Sequence, residues 1–188
     1  MTDRPPSSGL PGLAGVEHTG LTVPDMDEAT AFFVDILGAE VLFEVGPFSS
    51  DDDWMATHLG VHPRAKIPRL RMLRLAEGPS IELFEYISPD QQHTRSRNSD
   101  AGGHHLAFYV ADVTSAVEYL KRYHVEVLGE PTTMLEGPSA GLTWVYFRAP
   151  WGLQLELVSA PRGLAYERSG DRPMWRPDSE GRSWALNT

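Results

Sequence analysis

Four residues have the type and placement to do chemistry: His18, Glu82, His105 and Glu156. Each lies in a short run with the make-up of a β-strand: VEHTGLTV, SIELFEY, HHLAFYV and LQLELV. The two histidines stand 87 positions apart and the two glutamates 74, so one arrangement, a His on an early strand and a Glu on a late one, occurs twice. Two imidazoles and two carboxylates brought together by such a repeat can hold one divalent ion. Nitrogen and oxygen donors without sulfur suit Zn, Ni, Co, Mn or Fe and do not choose among them. A single His or Glu on a strand is more often structural or solvent-facing; the repeated placement is what turns the reading toward a metal.

The elements that must position these residues follow from the patterning. After Pro24-Asp25, MDEATAFFVDIL carries Ala29, Phe32, Phe33, Ile36 and Leu37 at helical spacing, and Gly38 is placed to end the helix. AEVLFEVG, IPRLRMLRL and SIELFEY read as the next three strands. Beyond a polar linker, PDQQHTRSRNSDAGG, the order recurs: HHLAFYV as a strand, DVTSAVEYLKRYH as a helix capped by Asp112 or Thr114, then VEVLGEP, LTWVYFRAP and GLQLELVSA as strands, with Pro150-Trp151-Gly152 turning the last hairpin. Both halves read βαβββ, an α+β repeat with module 1 over about 14–88 and module 2 over about 103–160. Residues 1–13, rich in Pro, Gly and Ser, read as a flexible segment, and 161–188, with Tyr166, Trp175 and Trp184, as an extension without clear periodicity.

Side chains alternate along a strand. Glu82, Phe84 and Tyr86 share one face against Ile81 and Leu83; Glu156 opposes Leu155 and Leu157; His105, Ala107 and Tyr109 oppose Leu106, Phe108 and Val110; His18, Gly20 and Thr22 share a face. The aliphatic faces are expected to pack on helices. The other faces combine ionisable, small and aromatic residues, as a cavity wall does. Two carboxylates there repel each other, and a bound cation removes that cost.

Composition narrows the classes. With 188 residues, 41% hydrophobic and 22% charged, the chain is an ordinary globular length and make-up. A net charge of −10 argues against nucleic acid and anionic membrane as partners. The absence of cysteine excludes disulfides, thiolate metal sites and a cysteine nucleophile. No stretch is apolar over a bilayer's width, and MTDRPPSSGLPGLAG lacks the apolar core of a signal peptide, so a cytoplasmic location is expected.

HTGLTVPDMDEATAFFVDILGAEV, GGHHLAFYVADVTSAVEYL and APWGLQLELV, in that order, resemble the vicinal oxygen chelate superfamily, which includes glyoxalase I, methylmalonyl-CoA epimerase, extradiol dioxygenases and antibiotic-resistance proteins. The resemblance covers about residues 14–160. It implies two tandem βαβββ modules forming a cupped, mixed β-sheet around one metal, a small-molecule substrate and a homodimer. It makes His18, Glu82, His105 and Glu156 the metal ligands, a set similar to that of bacterial-type glyoxalase I. Methylmalonyl-CoA epimerases commonly carry Gln where Glu82 stands, extradiol dioxygenases use a His, His, Glu triad, and antibiotic-sequestering members often lack the ligands. The insertion around Asp51–Lys66 and the tail after Pro161 exceed the minimal glyoxalase pattern.

The expected chemistry is that of a metal-dependent glyoxalase-like lyase, or an isomerase or epimerase. A proton is removed beside a carbonyl, with Glu82 or Glu156 as base and the metal holding the enediolate. The alternatives are an Fe(II)-dependent extradiol-type dioxygenase and a binding or resistance protein that holds an antibiotic. Phe84, Tyr86, Tyr109 and Trp144 are candidate pocket residues, and Arg69 and Arg71 share a strand face that can hold an anionic substrate group, against a bland reading as a solvent-exposed edge. His104 is expected to be structural, Glu17 and Glu85 to lie at the surface, and Asp51–Asp53 to form a solvated turn. His58, His62 and Arg64, with Trp54, sit on the insertion as either substrate contacts or solvated loop.

Overall fold

The computed structural model describes residues 10–76, 78–94, 96–169 and 173–177; residues 1–9 of the expected N-terminal segment and residues 178–188 of the tail, Trp184 among them, lie outside the described residues. Module 1 runs β1 (His18–Val23), α1 (Met26–Ala31), β2 (Glu40–Val45), α2 (Trp54–Leu59), β3 (Lys66–Arg74) and β4 (Ser80–Ile87). Module 2 runs β5 (Leu106–Tyr109), α3 (Val113–Arg122), β6 (Val127–Thr133), β7 (Thr143–Arg148) and β8 (Gln154–Ser159). The two long helices start alike. Asp25 accepts the Glu28 N–H at 2.8 Å, and Asp112 accepts the Ser115 N–H at 2.7 Å, so each caps free amides of a first turn. Asp27 and Glu28 in the first turn of α1, and Lys121 and Arg122 in the last turn of α3, complement the helix dipoles. Beyond Ala31 the first helix widens into a π turn over Phe32–Ile36, and Gly38, at φ 77°, ends it.

Each module makes one four-stranded mixed sheet, ordered β1-β4-β3-β2 and β5-β8-β7-β6. In both, the first strand pairs parallel with the last and the remaining pairs are antiparallel. The register fixes the faces. Leu21 opposes Leu83 and Leu73 opposes Ile81, whereas Gly20 and Met72 oppose Glu82. Phe147 opposes Leu155 and Val145 opposes Leu157, whereas Ala107 and Tyr146 oppose Glu156. The aliphatic faces of both sheets and the buried faces of α1 and α3 form one contiguous core, with Phe33, Leu73, Leu83, Phe147 and Leu155 fully buried. Trp151, in the β7–β8 turn, joins the halves: its ring meets Phe32 edge-on at 5.6 Å and lies 6.1 Å from Phe33. The faces carrying the glutamates are turned away from this core.

Two additions extend the modules. The insertion before β3 folds as α2, whose Met55 packs with Ala65 and Ile67 against Leu70, Phe84 and Tyr86, covering one end of the Glu82 face. After β8 a short turn over Ala165–Ser169 is tied to the β6–β7 connection through Ala165 N–H to Ala140 O (2.9 Å) and Tyr166 N–H to Pro138 O (3.1 Å). Among the described residues, no helix is long and apolar enough to cross a membrane.

Candidate metal and substrate site

The four expected ligands assemble as two pairs. His18 Nε2 stands 3.2 Å from Glu82 Oε2, and His105 Nε2 stands 3.1 Å from Glu156 Oε2. The parallel pairing of first and last strand makes each pair: β1 lies beside β4, and β5 beside β8. His105 stands just ahead of β5, where the sequence pattern placed it inside a strand. The turn before it displaces the strand start: a Cβ at Gly103 would lie 2.2 Å from Arg97 O, so only glycine lets the chain fold back there. Both glutamates are mostly enclosed, at 17% and 13% side-chain exposure, and both histidines are more open. The two pairs lie on faces of different sheets, and among the described residues no three or more His, Asp or Glu of the single chain are placed to hold one metal ion together.

Each pair suits two neighbouring donors on one cation. Ligand bonds of about 2.1 Å at right angles separate adjacent donors by about 3.0 Å, close to the two spacings seen. The far side of each imidazole is also held, as metal-binding histidines require. Glu17 binds His18 Nδ1 and is the main cause of the raised His18 pKa, followed among the raising contributions by the charge of Glu82. The Asn98 amide nitrogen lies 3.3 Å from His105 Nδ1 and donates to it. In both pairs Nε2 is the ring nitrogen turned toward its glutamate, donating to it here and available to an ion once deprotonated.

Aromatic side chains flank the glutamates. Tyr146 lies in register with Glu156 and its ring meets His105 near-perpendicularly at 5.1 Å, while Trp144 packs on Tyr146 at 5.3 Å. Burial, and then the charge of Glu156, push the Tyr146 hydroxyl above its ordinary pKa, so it stays protonated as a donor. Tyr86 is raised in the same way by burial and then Glu82, and stacks on Phe84 at 5.5 Å. Tyr109 opposes Val158, which in turn opposes Trp144, so it shares the Glu156 face.

Arg69 and Arg71, the candidates for holding an anionic substrate group, are not brought together with the glutamates. Arg71 opposes Leu83 and Arg69 opposes Glu85, which puts both on the face away from Glu82. There Glu44 binds both guanidiniums, Asp27 binds Arg69 at 2.8 Å and Thr30 accepts from Arg71 at 2.6 Å, so the pair fastens α1 to β2 and β3. These arginines hold the Glu44 and Asp27 carboxyls below their ordinary pKa. His104 Nδ1 meets Gly102 O at 3.1 Å, Asp52 accepts the Trp54 N–H at the start of α2, and His58 stacks on Trp54. Pattern reading missed three residues. Tyr146 was legible, two positions from Trp144 on one strand face. Glu17 was assigned to the surface by parity, and at 79% exposure it is there, yet its side chain curls onto its neighbour's ring. Asn98, in an aperiodic linker, gave no signal.

A family model described as "Glyoxalase/Bleomycin resistance protein/Dioxygenase superfamily" matches residues 15–157. A 2-epi-5-epi-valiolone epimerase from Actinomyces sp. is 45% identical over 186 residues, covering 98% of this chain and 97% of that protein. The Escherichia coli protein YaeR is 30% identical over 146 residues, 78% of this chain and 96% of its own. A solved glyoxalase family protein from Bacillus cereus superimposes with a TM-score of 0.60 at 20% identity, covering 78% of this chain and 94% of that one.

Proposed function

Within the glyoxalase/bleomycin resistance protein/dioxygenase superfamily, to which this chain belongs, we propose that it is a metal-dependent epimerase of a hydroxylated ketone of the 2-epi-5-epi-valiolone kind. The observation that carries this reading is the likeness to the epimerase at 45% identity along nearly the whole of both chains. The two His–Glu pairs support the metal, with His18, Glu82, His105 and Glu156 as its ligands. Because the pairs lie on faces of different sheets, both turned from the shared core, we assign the site to a homodimer in which a second copy brings the complementary pair.

A bound divalent ion supplies positive charge beside a substrate carbonyl and so acidifies the neighbouring C–H. The remaining work falls to the chain. Glu156, largely enclosed and lining a cavity beside β5, takes the proton from the carbon next to the carbonyl. Tyr146, kept protonated, donates a hydrogen bond to a substrate oxygen on that face. Glu82, with Tyr86 beside it, faces the substrate from the complementary half-site and returns a proton to the opposite face of the same carbon. Inversion needs a proton source on each side, and two separate carboxylates supply them.

The test is to incubate purified chain, stripped and reloaded with single divalent metals, with 2-epi-5-epi-valiolone in D₂O. Inversion with deuterium entering at one carbon is expected, only in metal-loaded samples and without oxygen uptake. No exchange with any metal, or stoichiometric use of O₂, overturns the reading.

A further inference from the structure

The extension beyond β8 lies outside the matched residues 15–157 and is not an idle tail. Glu167 is the centre of a clasp. It receives Arg176 Nη1 at 3.1 Å and Nη2 at 2.6 Å, the Leu164 N–H at 2.7 Å and the Met174 N–H at 3.3 Å. The Tyr166 hydroxyl also accepts the Met174 N–H, at 2.8 Å. Both charged partners are largely enclosed, at 12% and 16% side-chain exposure. The clasp brings Met174–Pro177 to the wall of a cavity of ≈ 750 Å³ between the first strands of the two modules. Thr19 and Ile81 line it from module 1, Leu106 and Phe108 from module 2, and Glu156 is its one carboxylate among the described residues. Trp175 lines this cavity and yet remains 55% exposed, an indole held by its neighbours and left open to a ligand.

Chain lengths point the same way. The likeness to YaeR covers 78% of this chain and nearly all of YaeR, whereas the likeness to the epimerase covers 98% of this chain. The added length is shared with the relative named for a cyclic polyol ketone. We propose that Met174–Pro177, fixed by the Glu167–Arg176 clasp, is the substrate-selecting wall of the Glu156 cavity, with the Trp175 indole receiving the C–H face of a cyclic hydroxylated ketone. This rests on the epimerase reading and adds the element that chooses its substrate. An aromatic plate suits such a ring, which has an apolar face and a polar rim.

The experiment measures deuterium exchange into 2-epi-5-epi-valiolone by the metal-loaded full chain, with Trp175→Ala, Trp175→Phe, Arg176→Ala and, as a control on another exposed indole, Trp54→Ala. Trp175→Ala is expected to raise KM about tenfold, the size of one lost aromatic contact, with kcat within about twofold of wild type. Trp175→Phe is expected to recover most of the affinity, Arg176→Ala to reproduce the KM rise by freeing the strap, and Trp54→Ala to change neither constant. Thermal melting and metal content are followed throughout, and if Trp175→Ala does not stay folded, Trp175→Gln carries the same test. An unchanged KM in the folded variant, or a fall in kcat with KM constant, overturns the selecting role and leaves the epimerase reading standing. A wild-type protein that exchanges nothing overturns both.

Discussion

Glu156→Gln separates a base from a ligand. The substitution keeps an oxygen where Glu156 Oε2 now lies, 3.1 Å from His105 Nε2, and keeps the volume of a side chain only 13% exposed. It removes the charge and the basicity. A positioned general base contributes about 10²–10⁴-fold, or roughly 2.7–5.4 kcal/mol of activation free energy. Enclosure places Glu156 toward the upper part of that range, since little water reaches the carbon to substitute for it. Glu82→Gln is expected to abolish inversion while sparing wash-out of the substrate proton, because Glu82 would deliver its own proton to the opposite face, whereas the proton on Glu156 exchanges with solvent and can return to the face it left. Proton NMR in D₂O reads both processes, and elemental analysis of the same samples reads the metal. The assignment fails if Glu156→Gln keeps more than about a tenth of wild-type exchange with metal bound, a loss below the general-base range. It fails equally if activity and metal content fall in proportion, since Glu156 is then a ligand alone.

Three further outcomes are expected. Glu17→Gln lowers divalent-metal affinity by about 10–100-fold in a chelator competition, the usual effect of removing the carboxylate behind a ligating imidazole; an unchanged affinity shows that Glu17 does not orient His18. Phe33→Ala and Phe147→Ala, each at a fully buried position, cost about 3–5 kcal/mol, and because the core is shared each variant still unfolds in one transition by calorimetry; two separable transitions refute the common core. Arg176 holds the Glu167 carboxyl down to about 2 from an ordinary 4.5. A depressed carboxyl stabilises the fold above its unfolded pKa, so the clasp is intact above about pH 4.5 and is lost as pH falls toward 2, with a change in Trp175 emission that Arg176→Ala should abolish.

Much of this was legible in the residues because two periodicities carry it. Alternation in SIELFEY and LQLELV set Glu82 and Glu156 on the faces opposite the core, and Pro24-Asp25 and the cap candidate Asp112 marked the helix starts that Asp25 and Asp112 cap. Arg69 and Arg71 show where alternation stops helping. It placed them on one face, but only the register, Arg71 against Leu83, tells which face, and pairing is a long-range property. The clasp was invisible for a related reason. Glu167 and Arg176 stand in a stretch with no period, and a charged pair in a polar tail looks like any solvated charge until its enclosure is known. Asn98 reaches His105 through a turn that depends on the missing Cβ of Gly103, a steric fact that no spacing rule expresses.

The parallel pairing of first and last strands bears on how the protein is born. His18 is made about sixty residues before its neighbour strand at Ser80 exists. During synthesis β1 must therefore wait, with its edge unpaired, until β4 leaves the ribosome, and β5 must wait for β8. Each His–Glu pair is then among the last contacts its module makes. A nascent chain that has paired both ends of a module has necessarily built the strands between them, so the closing of a His–Glu pair marks a completed module.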